Sequence, residues 1–201
     1  MRRGRPEILL LIVLSATLAS CGTSAEPHFY TLSAADGVPP HKIDKPVEGF
    51  RMAVGPVTIL ETVDRPELVV RVGANEVTLA EQHRWAQPLR NEIARVIAEN
   101  LEQYLGGIQV VTYPYHASRE VDYRVFVDIQ HFDSILGQAV TVDALWSIRD
   151  GSGGGRISER TIAQETPRGN GYDALVSAHS HALARLSAEI AEAMREITKR
   201  N

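Results

Sequence analysis

Apolar and polar residues alternate most clearly between residues 121 and 149. Val121, Tyr123, Val125, Val127 and Ile129 are set against Asp122, Arg124, Asp128 and Gln130, with Phe126 breaking the polar side. Val140, Val142, Ala144, Trp146 and Ile148 are set against Thr141, Asp143, Ser147 and Arg149. A period of two predicts strands with one face against a core and one in water. Residues 131–137 read as the connection between these strands, and residues 150–155 as a flexible glycine-rich turn. Residues 156–165 read as a third, more polar strand. Strands joined in sequence this way predict an antiparallel meander.

Earlier strands are shorter. Phe29-Tyr30-Thr31-Leu32 is strand-like, and residues 36–46 read as a loop because they hold Gly37, Pro39, Pro40 and Pro46. Residues 50–60 are rich in Val and Ile, and the Gly55-Pro56 pair predicts a break or bulge there. Asp64-Arg65-Pro66 marks a turn, and residues 68–72 and 76–80 flank Gly73-Ala74-Asn75 as a hairpin. Residues 108–112 form a short apolar strand ended by Pro114.

Two segments follow the helical period. Trp85, Leu89, Ile93, Val96, Ile97, Leu101, Tyr104 and Leu105 recur at spacings of three and four, with Pro88 in the first turn and Gly106-Gly107 as the stop. Leu175, Val176, Leu183, Leu186, Ile190, Met194 and Ile197 make a second stripe, with Asp173 as the expected N-cap and Lys199 and Arg200 suiting the C-terminal dipole. The predicted fold is an α+β two-layer sandwich: a largely antiparallel sheet with two long helices packed on one face.

The N-terminus departs from this pattern. Arg2, Arg3 and Arg5 precede a nearly unbroken apolar run over residues 8–14, then small residues, then Leu18-Ala19-Ser20-Cys21. That is a charged region, an apolar region and a small-residue cleavage site. Cys21 is the only cysteine in the chain. Its place at the cut predicts a bacterial lipoprotein signal, with the Cys21 thiol carrying diacylglycerol and the new amino terminus acylated. Each buried methylene contributes roughly 0.8 kcal/mol, and stable anchoring takes about two chains. A transmembrane helix needs about 20 apolar residues, and Ser15, Thr17 and Ser20 dilute this run. The expected organisation is a signal peptide over 1–20, a lipidated tether over 21–27 and a single domain over 28–201. Gly22 follows the cysteine where an aspartate would signal inner-membrane retention, so the expected location is the periplasmic side of the outer membrane.

Composition agrees with one globular domain. Hydrophobic residues make up 44% and charged residues 23% of the chain. The leader carries three arginines and Glu7, so the remaining chain is two units more negative than the −4 of the whole. A net negative body has no drive toward nucleic acid or anionic lipid heads. With no second cysteine there is no internal disulfide, and stability must come from packing.

The candidate chemistry is thin. His179 and His181 lie two apart on a predicted helix and point in nearly opposite directions, so they do not chelate one ion. His83, His116 and His131 fall on separate elements. Ser152 sits in a glycine-rich stretch with no lysine in P-loop position, and no nucleophile elbow is present. Asp122, Asp128 and Asp143 read as solvated strand-face residues. The expectation is a chain with no catalytic residues, no metal site and no cofactor. Trp146 falls on the apolar side of its strand and predicts core. Trp85, beside His83-Arg84 at the start of the first helix, is a candidate binding anchor.

Read in order, FYTLS (29–33), VGPVTI (54–59), DRPELVVR (64–71), HRWAQPL (83–89), ARVIAENL (94–101) and DYRVFVDIQHFD (122–133), with Leu186-Ser187 and Glu189-Ile190-Ala191, resemble the PqiC-like auxiliary lipoproteins of ABC-type transport systems. The family pattern places proline after the VGPVTI run, where this chain has Leu60, and often glutamate where Gln87 stands. The resemblance implies a non-catalytic outer-membrane component of a lipid-transport system. It implies a homo-oligomeric ring acting as a docking collar for a periplasm-spanning MCE-domain protein, fed by an inner-membrane transport complex. The competing reading is a lipoprotein that itself carries lipid or another periplasmic ligand. Candidate interface residues are Arg84 and Trp85 and, in the 131–137 connection, Phe132, Ile135 and Leu136. The 36–46 loop is a further candidate.

Overall fold

The alternating segment folds as one long hairpin, and the other elements are arranged around it. The computed structural model describes residues 25–34, 49–106, 108–114, 121–151 and 156–200. In chain order its elements are β1 (His28–Tyr30), β2 (Met52–Ile59), β3 (Glu67–Arg71), β4 (Val77–Trp85), α1 (Leu89–Tyr104), β5 (Val110–Thr112), β6 (Tyr123–Ile135), β7 (Ala139–Asp150), β8 (Arg156–Glu165) and α2 (Tyr172–Arg200). Five strands form one sheet in the order β5-β2-β6-β7-β8, and three form a smaller sheet in the order β1-β4-β3. α1 packs on β2 and β5, α2 packs on β7 and β8, and the helices pack on each other. The result is the two-layer α+β architecture, with β3 meeting β6 where the two sheets join.

The meander is present: β6–β7 and β7–β8 are antiparallel. β2 runs parallel to both β5 and β6, and β1 runs parallel to β4. Parallel neighbours need a crossover connection. The β3–β4 hairpin together with α1 forms the crossover between β2 and β5. The Gly55-Pro56 break appears as a register shift between Val54 and Val57 in the β2–β6 ladder. Gly55 has φ +109°, and a Cβ there would lie 3.0 Å from the Cβ of Tyr113 beyond β5, so only glycine lets the two segments approach.

Two boundaries differ from the sequence expectation. Residues 131–135 are strand rather than connection, and the turn is confined to Leu136, Gly137 and Gln138. The cause is a bulge. Ile129 pairs with Ala144 and His131 with Asp143, leaving Gln130 extra on β6. One extra residue turns the strand over. Val125, Val127 and Ile129 point to the core before it, Phe132 and Ser134 after it. The sequence alternation therefore breaks while the strand continues.

The second difference concerns Trp85. It ends β4 and does not begin the helix, which starts at Leu89 with Pro88 at the N-cap position. The Trp85 N–H donates to the Pro66 carbonyl and the Ala86 N–H to the Tyr30 carbonyl, both at 2.8 Å. These bonds hold the chain extended up to Pro88, which has no N–H to donate. At the other end of α1, Gly106 has φ +88°, the left-handed position that terminates a helix. α2 begins one residue before the expected cap: the Leu175 N–H bonds the Gly171 carbonyl, and Asp173 lies within the first turn. Cys21 and the 36–46 loop lie outside the described residues.

Candidate interaction surfaces

The segment next to the expected anchor is built into the body at every level. β1 adds to β4 with His28 opposite His83, Phe29 opposite Arg84 and Tyr30 opposite Trp85. His83 stacks on Tyr172 at the start of α2, with ring centres 3.7 Å apart, and its Nδ1 lies 2.7 Å from the Tyr30 hydroxyl. Burial, with His28 alongside, pulls the His83 pKa below its ordinary value. Two residues further on, Leu32 is 1% exposed in the core.

The Leu32 backbone is clasped by α1. Its N–H donates to Glu92 Oε2 at 3.1 Å, and its carbonyl accepts from Arg95 at 2.6 Å. Arg95 also pairs with Glu92 and Glu99, each at 2.8 Å. Those carboxylates hold the Arg95 pKa above its ordinary value, the Glu92 hydrogen bond being the largest cause. Glu92 itself is 1% exposed. The Ser33 N–H then reaches Ser180 Oγ on α2 at 3.1 Å. The segment after β1 is thus tied to both helices.

Trp85 and Phe132, expected at an interface, are buried instead. Trp85 is 7% and Phe132 4% exposed, and they meet edge to face at 6.3 Å. Trp85 ends the small sheet and Phe132 lies beyond the bulge of β6, so the pair forms the seam between the sheets. Phe132 also stacks on His179 of α2 at 4.0 Å. Arg84 remains at the surface, paired with Glu67 at 3.4 Å. Ile135 and Leu136 are half-buried at the β6–β7 turn, with Leu136 against the core.

His179 makes the contact that sequence reading missed. Its Nε2 lies 2.7 Å from Ser134 Oγ, a serine–histidine pair brought together across 45 residues. No period or motif links the two positions, and the Gln130 bulge hides the inward turn of Ser134. The pair lacks what nucleophilic catalysis needs. Among the described residues His179 Nδ1 has no hydrogen-bond partner, so none of their carboxylates orients the ring. Burial drives the His179 pKa down to about 3, which makes it a weak base. Among the described residues no group of three or more His, Cys, Asp or Glu is placed to hold a metal ion.

The outer face of the large sheet, away from the helices, carries an open trough of about 640 Å³. Pro56, Phe126 and Leu145 give it an apolar floor, and Arg149 stacks over Phe126 at 4.6 Å. At its rim Arg160 grips Asp143 through both oxygens at 2.6 and 2.8 Å, holding that carboxyl below its ordinary pKa. Asp128 accepts from Thr58 and Gln130. The trough thus combines an apolar floor with hydrogen-bonding groups at its rim.

Comparison with known proteins bears on the fold and the family. The fold is similar to the crystal structure of an uncharacterised protein, with TM-score 0.69 and 19% identity over 85% of this chain and 99% of that one. It is also similar to protein XCC0632 from Xanthomonas campestris, with TM-score 0.63 and 19% identity over 81% of this chain and 92% of that one. No curated protein matches. A family model described as the ABC-type transport auxiliary lipoprotein component matches residues 30–191, from β1 to the middle of α2. The chain belongs to the ABC-type transport auxiliary lipoprotein family.

Proposed function

We propose that this protein is a lipid-anchored, non-catalytic component of an envelope lipid-transport system, held at the outer membrane through acylated Cys21. In this reading it assembles as a homo-oligomeric ring and docks a periplasm-spanning MCE-domain partner connected to an inner-membrane transport complex. The leader over residues 1–20 is removed, residues 21–27 form the tether and residues 28–201 form the working domain. The supporting observation is the fastening of the tether: seven residues after Cys21 the chain enters β1, and Leu32 is clasped by Glu92 and Arg95. A carrier that shuttles ligand needs no such mechanical link. A docking element under load does. The surface candidates for docking are Arg84, Ile135 and Leu136, together with the trough of the large sheet.

The test replaces Cys21→Ser in cells and follows three readouts: membrane fractionation, envelope barrier function and co-isolation of an MCE-domain protein. The reading expects the serine variant to leave the membrane fraction and barrier function to fall. It expects the native protein to co-isolate as an oligomer with the MCE-domain partner. A native protein that runs as a monomer and captures no such partner overturns the docking role.

A further inference from the structure

Apart from Arg84 at its edge, the outer face of the three-stranded sheet has no task in the transport reading. Glu67, Val69 and Arg71 of β3 point outward, because Leu68 and Val70 between them are buried. The register sets Val69 opposite Leu79, Arg71 opposite Val77, and both Glu67 and Phe29 opposite Arg84. Phe29, Val77 and Leu79 therefore share one side of the sheet. They are 63%, 51% and 38% exposed, and Val72 at the end of β3 is 56% exposed. Half of the large apolar side chains exposed among the described residues belong to this small sheet and its margin.

We propose that this face rests on the lipid leaflet, with Phe29, Val77 and Leu79 in the boundary between headgroups and acyl chains. The inference builds on acylation of Cys21. Phe29 lies eight residues after Cys21, so even a fully extended tether keeps it within about 29 Å of the anchored sulfur. β1 is thus held near the membrane surface, and an exposed Phe suits the boundary between headgroups and acyl chains. An apolar patch of this kind supplies a second attachment beside the acyl chains. The arginines on and beside the face are already paired: Arg65 and Arg84 converge on Glu67, and Arg71 pairs with Asp133 at 2.7 Å, while Glu81 is exposed at its edge. The face needs no acidic headgroup, and a zwitterionic surface suffices.

Because Cys21 is the only native cysteine and is blocked by lipid, a cysteine introduced elsewhere is the only free thiol. The acylated full chain is prepared with Val77→Cys or Leu79→Cys, and with Leu145→Cys or Ile162→Cys on the large sheet. Each is labelled with an environment-sensitive fluorophore and placed in phosphatidylcholine vesicles containing doxyl-labelled lipid. Labels at 77 and 79 lose emission, as insertion about 5–10 Å into the headgroup and acyl boundary requires, while labels at 145 and 162 keep theirs. Adding anionic lipid leaves this pattern unchanged. Protein that floats with vesicles while labels at 77 and 79 stay unquenched overturns the leaflet contact and leaves the anchor intact. Protein that fails to float, with an unmodified N-terminal mass, overturns the anchor and the contact together. Shielding of 77 and 79 that persists in detergent and grows with protein concentration assigns the face to a second copy and overturns the proposal.

Discussion

Glu92, buried in the middle of the fold, accepts the backbone N–H of Leu32 at 3.1 Å across 60 residues of chain. A buried carboxylate is costly unless fully compensated. Here Arg95 supplies the charge and Leu32 the second donor, while Arg95 also serves the Leu32 carbonyl. Glu92→Ala leaves Arg95 and the Leu32 N–H short of a partner and is expected to cost about 3 kcal/mol. Leu32→Ala removes a core side chain and costs about 2–4 kcal/mol. Urea unfolding measures both. Limited proteolysis separates local from global loss: cleavage near residues 25–34 rises in both variants under conditions where the rest of the chain stays intact.

The elements that sequence reading placed well are those whose burial follows a simple period. β7 buries Val140, Val142, Ala144, Trp146 and Ile148 as spaced, and the stripes of α1 and α2 are buried too, but Asp143, expected to be solvated, is 4% exposed under its pair with Arg160. What was hidden depends on tertiary pairing. Gln130 looks like the end of a strand because a bulge reverses the facing of every later residue. Trp85 fits the helical spacing of Leu89 and Ile93 by coincidence, and its bond to Pro66 with its pairing to Tyr30 keeps it in a strand. The parallel ladders of β2 leave no local signature, since both partners lie more than fifty residues away in the chain. The Ser134–His179 contact is invisible for the same reason.

Acid sensitivity follows from His179. Its folded pKa is lowered to about 3 from an ordinary 6.5 by burial alone. Below pH 6.5 the unfolded chain binds a proton that the folded chain refuses. This contribution is therefore full above 6.5 and lost as the pH falls toward the folded value, by up to about 1.4 kcal/mol per pH unit. His83 is shifted in the same direction and adds to the loss. Asp143 has a lowered pKa, so its contribution is lost only as the pH falls below the ordinary carboxylate range. Urea midpoints between pH 6.5 and 5 thus isolate the histidines. His179→Leu is expected to flatten the slope there, and an unchanged slope would exclude this histidine as the source.

Trp146 reports on the contact between β8 and α2. Its Nε1–H donates to Thr161 Oγ1 at 3.0 Å, and that hydroxyl donates in turn to Glu189 of α2. Thr161 is 3% exposed, so no water replaces it freely. Thr161→Val preserves shape and strands the indole N–H, at a cost of about 1–3 kcal/mol. Thr161→Ser keeps the relay and costs less. Differential unfolding followed by tryptophan fluorescence ranks the three proteins, and a valine variant as stable as the parent would show that the relay contributes nothing.

The bulge at Gln130 gives the sharpest contrast between replacing a residue and removing it. Gln130→Ala loses only a side-chain bond to Asp128 near the surface and is expected to change stability by about 0.5 kcal/mol or less. Deleting Gln130 removes the extra position itself. The β6–β7 ladder must then either flip residues 131–135 or draw the turn inward. A flip sends Phe132 out of the seam with Trp85 and pulls Ser134 away from His179. A shortened turn displaces Gly137, whose φ of +67° and closeness to Asn170 fix that end. Either route forfeits buried contacts worth about 3–5 kcal/mol on the scale of emptying a core aromatic site. Thermal unfolding of the two variants side by side decides it: a deletion tolerated as well as the alanine substitution would mean that the bulge does not set the facing of Phe132.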